Sequence, residues 1–83
     1  MAKDGYILSI DQGTTSSRAL IFNDNGEILS QKNYEFTQFY PKSGWVEHDP
    51  IEIIDTTIKA IRFVITESKI DPKDISVAGI TNQ

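Results

Sequence analysis

Hydrophobic and polar positions divide this chain into five strand-like or helical segments with sharp punctuation between them. Tyr6-Ile7-Leu8-Ser9-Ile10-Asp11 is a short apolar run closed by a carboxylate, which predicts a first strand from about Tyr6 to Asp11. A second strand is expected from about Ser17 to Phe22, and Asn23-Asp24-Asn25-Gly26 then forms a tight turn, because Asn-Gly accepts the positive φ angles of hairpins. A third strand runs from Glu27 to about Phe36. It alternates loosely and carries Gln31, Lys32, Asn33 and Glu35, as a strand near a sheet edge does. These three make an antiparallel meander.

Beyond a loop from Thr37 to His48, the period changes from two to 3.6. Asp49 is placed as an N-cap, Pro50 at the first helical position and Glu52 three residues after the cap. Ile51, Ile54, Ile58, Ile61 and Ile65 recur at spacings of 3, 4, 3 and 4, so they form one apolar stripe and are read as the helix's core face. Ile53, Phe63 and Val64 lie off that stripe and hint at a second covered surface. The helix should end near Ser68, before Asp71-Pro72. A last strand, about Ile75 to Thr81, is nearly continuous in apolar residues, as buried parallel strands are. A right-handed crossover through the helix would set it parallel to the first strand. Apolar residues then face both sides of the sheet, at Ile7, Leu8 and Ile10 and again at Val77, Ala78 and Ile80, while one helix covers one side. The remaining cover is expected from residues after Gln83 or from a partner, including a second copy.

Length and composition narrow the class. Eighty-three residues make at most one small domain, hiding on the order of 60 to 65% of its unfolded surface. A net charge of −4, with eight Lys and Arg residues that form no run, argues against a nucleic-acid surface. There is no cysteine, so disulfide frameworks and thiolate metal sites are excluded; the composition fits a reducing cytoplasm. The start carries no long apolar signal segment, and no run approaches the roughly 20 apolar residues of a membrane span.

The chemistry concentrates in Asp11-Gln12-Gly13-Thr14-Thr15-Ser16-Ser17-Arg18, where an apolar strand delivers a carboxylate, then a glycine, four successive hydroxyls and a cation. A carboxylate can hold Mg²⁺ or its waters. Gly13 lets the backbone come close, and the N–H groups and hydroxyls after it can donate to phosphate oxygens. Arg18 adds a charge-assisted contact. The competing reading is a hairpin with a polar turn, in which Thr15 and Ser17 simply satisfy local backbone. A two-residue turn needs neither four hydroxyls nor a strand-ending Asp, so phosphate binding is favoured. Trp45 is read as a loop anchor and His48 as a hydrogen-bonding loop residue; no second His or Cys exists to complete a transition-metal site.

Three runs, Ser9 to Ala19, Tyr40 to Pro50 and Gly79 to Gln83, resemble the start of the glycerol kinases, in register from about Tyr6 to Gln83. That family belongs to the carbohydrate kinases built on actin, Hsp70 and hexokinase-type ATPase lobes. The resemblance implies an α/β fold, the first part of a ribonuclease H-like lobe, with residues 1–83 an incomplete N-terminal domain of a several-fold longer cytoplasmic enzyme. It implies ATP/ADP and Mg²⁺ as ligands and transfer of a phosphoryl group to glycerol. By the resemblance, Asp11 lies near metal and transferred phosphate, and Thr14, Thr15 and Ser16 contact nucleotide phosphates, with Arg18 close by. Gly13 shapes the turn, Thr14 also faces the product's phosphoryl group, and Gln83 borders the substrate pocket. The general base is expected downstream, outside these 83 residues. Two alternatives stand beside this reading: another sugar or polyol kinase of the same superfamily, or, for the isolated chain, a catalytically inactive folding or interaction unit.

Overall fold

A computed structural model describes residues 5–39 and 47–82. Strands β1 (Tyr6–Gln12), β2 (Ser16–Phe22) and β3 (Ile28–Glu35) form the expected meander, and helix α1 (Pro50–Ser68) leads to a last long strand, Ile75–Asn82. Two elements lie inside the segment expected to be a loop. Strands β4 (Gln38–Phe39) and β5 (Glu47–His48) pair antiparallel there, so the last strand is β6. A single 3₁₀ turn over Pro72–Asp74 precedes β6, its start capped by the Asp71 carboxylate accepting from the Lys73 N–H. The main sheet has the order β3-β2-β1-β6, with β6 parallel to β1 as the crossover required. Trp45 and Gln83 lie outside the described residues, as does most of the run from Tyr40 to Pro50.

Local chemistry explains the boundaries. At the β2–β3 turn only Gly26 has positive φ, +82°, while the Asn23 side chain accepts from the N–H groups of Asn25 and Glu27. The connection is therefore held by an Asn side chain and one left-handed glycine, rather than by an Asn-Gly pair with two positive φ angles. At the start of α1 the Asp49 carboxylate accepts from Ile51 N–H at 2.9 Å. Glu52 does not close a capping box. Its Oε2 instead accepts from both the N–H and the hydroxyl of Thr37, each at 3.1 Å, tying the end of the meander to the helix. Lys69, at φ +58°, ends the helix by turning its N–H onto the Ile65 and Thr66 carbonyls. Asp49→Ala should cost about 1 kcal/mol of stability, read as a lowered urea midpoint.

The core departs from the isoleucine-stripe expectation. Pairing places Leu8, Ile10, Ala19 and Ile21 on one face of the sheet, and α1 meets them with Ala60 and Val64, all buried. The helix lies over β2 and β3: Ser30 Oγ donates to the Val64 carbonyl at 2.7 Å, and the Lys32 ammonium stands 4.7 Å from the Phe63 ring centroid. Ile61 and Ile65 pack at the margin of this core, but Ile51, Ile54 and Ile58 remain 73, 58 and 41% exposed. At about 100° per residue, the stripe's centre is roughly 140° around the axis from the Thr56-Ala60-Val64 row, on the flank away from Phe63 and β3. It therefore points mostly away from the sheet, whose β6 end lies beyond the reach of α1. For the same reason β6 is parallel but not buried, with Val77 and Ile80 57 and 67% exposed. Two helical apolar rows compete in this sequence. Small Ala60 and β-branched Val64 won the sheet contact because they let the helix approach closely.

Candidate functional site

The β1–β2 connection is the end of the sheet where the chemistry gathers. Gln12 and Ser17 are the last pair of the β1–β2 ladder, and Gly13 to Ser16 form the turn beyond them. Gly13 N–H donates to the Ser16 carbonyl at 2.9 Å, and Phe36 N–H to the Thr15 carbonyl at 3.0 Å, so the turn is fixed at its base and from the side of β3. A Cβ on Gly13 would stand 3.4 Å from the Ser16 carbonyl oxygen, and its φ is not positive. The fold itself thus does not demand a glycine here; its absent side chain leaves open the cavity it lines.

That cavity, about 600 Å³, is lined by Asp11, Gly13, Thr14, Thr15, Ser16 and Arg18, together with Gln31, Lys32 and Asn33 of β3. All six residues singled out at the turn meet there. The β3 residues were not anticipated, although the meander carries the signal: once β2 and β3 pair, Arg18 falls opposite Asn33. Asp11 lies on the sheet face opposite α1, by alternation from the buried Ile10. Its carboxylate is held on both sides. Arg18 Nη2 donates to Oδ2 at 2.8 Å from β2, and the Thr81 hydroxyl donates to Oδ1 at 3.2 Å from β6. Thr81 is a site residue that inspection of the turn alone missed, because only parallel pairing of β6 sets it beside Asp11. The ion pair is partly exposed, 46% at Arg18 and 24% at Asp11, so it orients the carboxylate more than it stabilises the fold.

Ser17 stands apart from its neighbours. It is completely buried on the helix side of the sheet and bonded to Gln12, Thr56 and Thr57, so its hydroxyl does not line the cavity. His48 packs its ring edge-on against Phe36, at 5.0 Å between centroids. Its Nε2 is buried with no hydrogen-bond partner among the described residues, so the hydrogen-bonding role expected for it is not met at that atom.

The placement of a carboxylate and a hydroxyl-rich turn at the carboxyl ends of parallel β1 and β6 is the usual position of ligand sites in open α/β sheets. The sequence profile for the N-terminal domain of the FGGY family of carbohydrate kinases matches residues 6–83. The chain belongs to the FGGY carbohydrate kinases. A glycerol kinase from Thermoanaerobacter sp. (strain X514) is 57% identical over 83 residues, all of this chain and 16% of that protein. The crystal structure of Plasmodium falciparum glycerol kinase with ADP superposes with a TM-score of 0.81 at 37% identity, over 95% of this chain and 16% of that one. A gluconate kinase from Lactobacillus acidophilus superposes with a TM-score of 0.85 at 27% identity, over 98% and 16%. The chain thus spans about a sixth of the length of these FGGY relatives. It superposes on kinases whose named substrates differ.

Proposed function

We propose that this chain supplies the phosphate-binding turn of an ATP-dependent glycerol kinase. The observation that carries the reading is the convergence of Asp11, Gly13, Thr14, Thr15, Ser16 and Arg18 on one cavity at the carboxyl ends of β1 and β6. Phosphoryl transfer needs little covalent chemistry from a protein; positioning and charge stabilisation do most of the work. The exposed hydroxyls of Thr14 and Thr15, with Ser16, would donate to phosphate oxygens, and Thr14 would border the phosphorylated product. Arg18 would turn from Asp11 toward developing phosphate charge.

The donor set fits magnesium delivered with a nucleotide. Among the described residues no three acidic, His or Cys side chains gather into a cage. A single carboxylate, Asp11, beside an open hydroxyl-lined cavity is how proteins commonly hold Mg²⁺, which keeps waters and binds the nucleotide's own oxygens. When bound, that ion neutralises charge on the transferring group. The transferred group would be ATP's γ-phosphoryl, received by a primary hydroxyl of glycerol to give sn-glycerol 3-phosphate and ADP. Glycerol, rather than another polyol, is favoured by the 57% identity to a named glycerol kinase. The likeness to a gluconate kinase keeps a different sugar acceptor as the second reading. We take residues 1–83 to be part of the first ATPase-type lobe, with Gln83 bordering the acceptor pocket, and the reaction to run in the cytoplasm, where ATP is available. The 83-residue chain by itself should give no turnover, since the proton-accepting base is expected outside it.

A coupled ADP-release assay on the full-length polypeptide tests this. Turnover with glycerol should exceed that with gluconate by well over about tenfold, because sites that hydrogen-bond a substrate's hydroxyls discriminate more strongly than apolar contacts do. Preference for another acceptor would reassign the substrate, and ADP release with none would overturn the kinase reading.

A further inference from the structure

We propose that Thr57 of α1, with Gln12 and Ser17, forms a clamp that sets the geometry of the Gly13–Ser16 turn, so that the helix acts as a positioning element for phosphate. The inference rests on the phosphate-binding reading above and deepens it.

The three side chains make a closed triangle beneath the turn. Gln12 Nε2 donates to Ser17 Oγ at 2.9 Å, the Thr57 hydroxyl lies 3.1 Å from Gln12 Oε1, and the Ser17 and Thr57 hydroxyl oxygens are 3.2 Å apart. Thr56 adds a contact to Ser17 Oγ at 3.1 Å. Gln12 and Ser17 immediately flank the turn and are the last residues paired across β1 and β2. Whatever fixes their side chains therefore fixes the separation and twist of the two strand ends from which the turn springs.

Helix formation does not explain these threonines. Adjacent Thr56 and Thr57 occupy the second turn of α1, where β-branched hydroxyl residues are poor helix formers, and both oxygens also reach back to the Ile53 carbonyl, at 3.0 and 2.8 Å. Further along the same face, the helix meets the sheet with Ala60 and Val64. Beneath the turn the contact becomes a cluster of three hydroxyls and an amide. Ser17 is completely buried, Thr56 nearly so, and Gln12 and Thr57 half-buried; a polar cluster shielded from water is costly when partly satisfied and rigid when complete. The cluster is thus a joint that transmits the position of α1 to the turn, on the sheet face opposite Asp11.

Two measurements on the full-length polypeptide test the clamp. In hydrogen exchange without nucleotide, Thr57→Val and Ser17→Ala should each speed exchange of the Gly13 amide, which closes the turn, at least about tenfold, leaving β6 amides unchanged. In steady-state assays both should lower kcat/KM for ATP roughly ten- to hundredfold, as small misplacements of reacting groups do, with KM for glycerol within about twofold. Thr57→Ser, which keeps the hydroxyl, should restore both. If Thr57→Val and Ser17→Ala leave Gly13 exchange unchanged, or lose stability without changing kcat/KM for ATP relative to glycerol, the clamp is overturned. If Gly13 exchange responds while the unsubstituted polypeptide turns over no ATP, the clamp stands as a device of the fold. In that case the phosphate-binding reading fails, and with it the positioning role.

Discussion

Asp11→Asn in the full-length polypeptide should lower kcat on the order of 10²–10³-fold while leaving the fold intact. The two halves of this expectation come from different features of the same side chain. Asparagine keeps the shape of aspartate and an oxygen that can accept from the Thr81 hydroxyl, now 3.2 Å from Oδ1. It loses the charge that would meet the magnesium-bound phosphates and that holds Arg18 at 2.8 Å. Because this ion pair is partly exposed, its loss costs at most about 1 kcal/mol, so the melting temperature should move by only a few degrees. The measurement pairs steady-state turnover with thermal unfolding. Near-normal turnover would remove Asp11 from the site. A collapse of turnover and stability together would make the carboxylate a structural group.

The second large effect separates the buried face of the sheet from the isoleucine stripe of the helix. Ile21 is completely buried between the sheet and α1, so Ile21→Ala should destabilise the 83-residue chain by about 2–5 kcal/mol through lost burial and the cavity left behind. A chain this small has little stability in reserve, and that loss should leave much of the population unfolded at room temperature. Ile54→Ala, a change of the same size at a position 58% exposed, should change stability by under about 0.5 kcal/mol, read from the urea midpoint. Comparable losses from both substitutions would mean that the isoleucine stripe is packed after all, for instance against a second copy. Measuring the midpoints at two protein concentrations distinguishes self-association, since only a dimer's midpoint rises with concentration.

Much of the candidate site was legible in the order of residues alone. Asp11, Gly13, Thr14, Thr15, Ser16 and Arg18 are contiguous, so a local turn is enough to gather them, and local chemistry predicts that turn. Gln31 and Asn33 reach the cavity, and Thr81 reaches Asp11, from other strands, and their arrival depends on register and strand order. Ser17 shows the limit from the other side. It belongs to the hydroxyl string, but alternation along β2 turns it away from the cavity and into the joint with Thr57. Glu52 carries the same lesson. Three residues past an N-cap it reads as a capping box, yet Thr37 offers two donors at once and takes the carboxylate.

The residue pattern alone determined the number and kind of the main elements, the meander, the capped helix and the place of the polar turn, because those follow from period, turn residues and caps acting over a few positions. Tertiary structure decided which row of α1 meets the sheet. An apolar stripe states that a surface can be buried, whereas close approach over β2 and β3 selected Ala60 and Val64 and left Ile51, Ile54 and Ile58 outside. It also decided that Thr81 braces Asp11 and that Thr57 braces the turn. Both contacts join residues tens of positions apart, and no local rule of spacing specifies a hydrogen bond at that range.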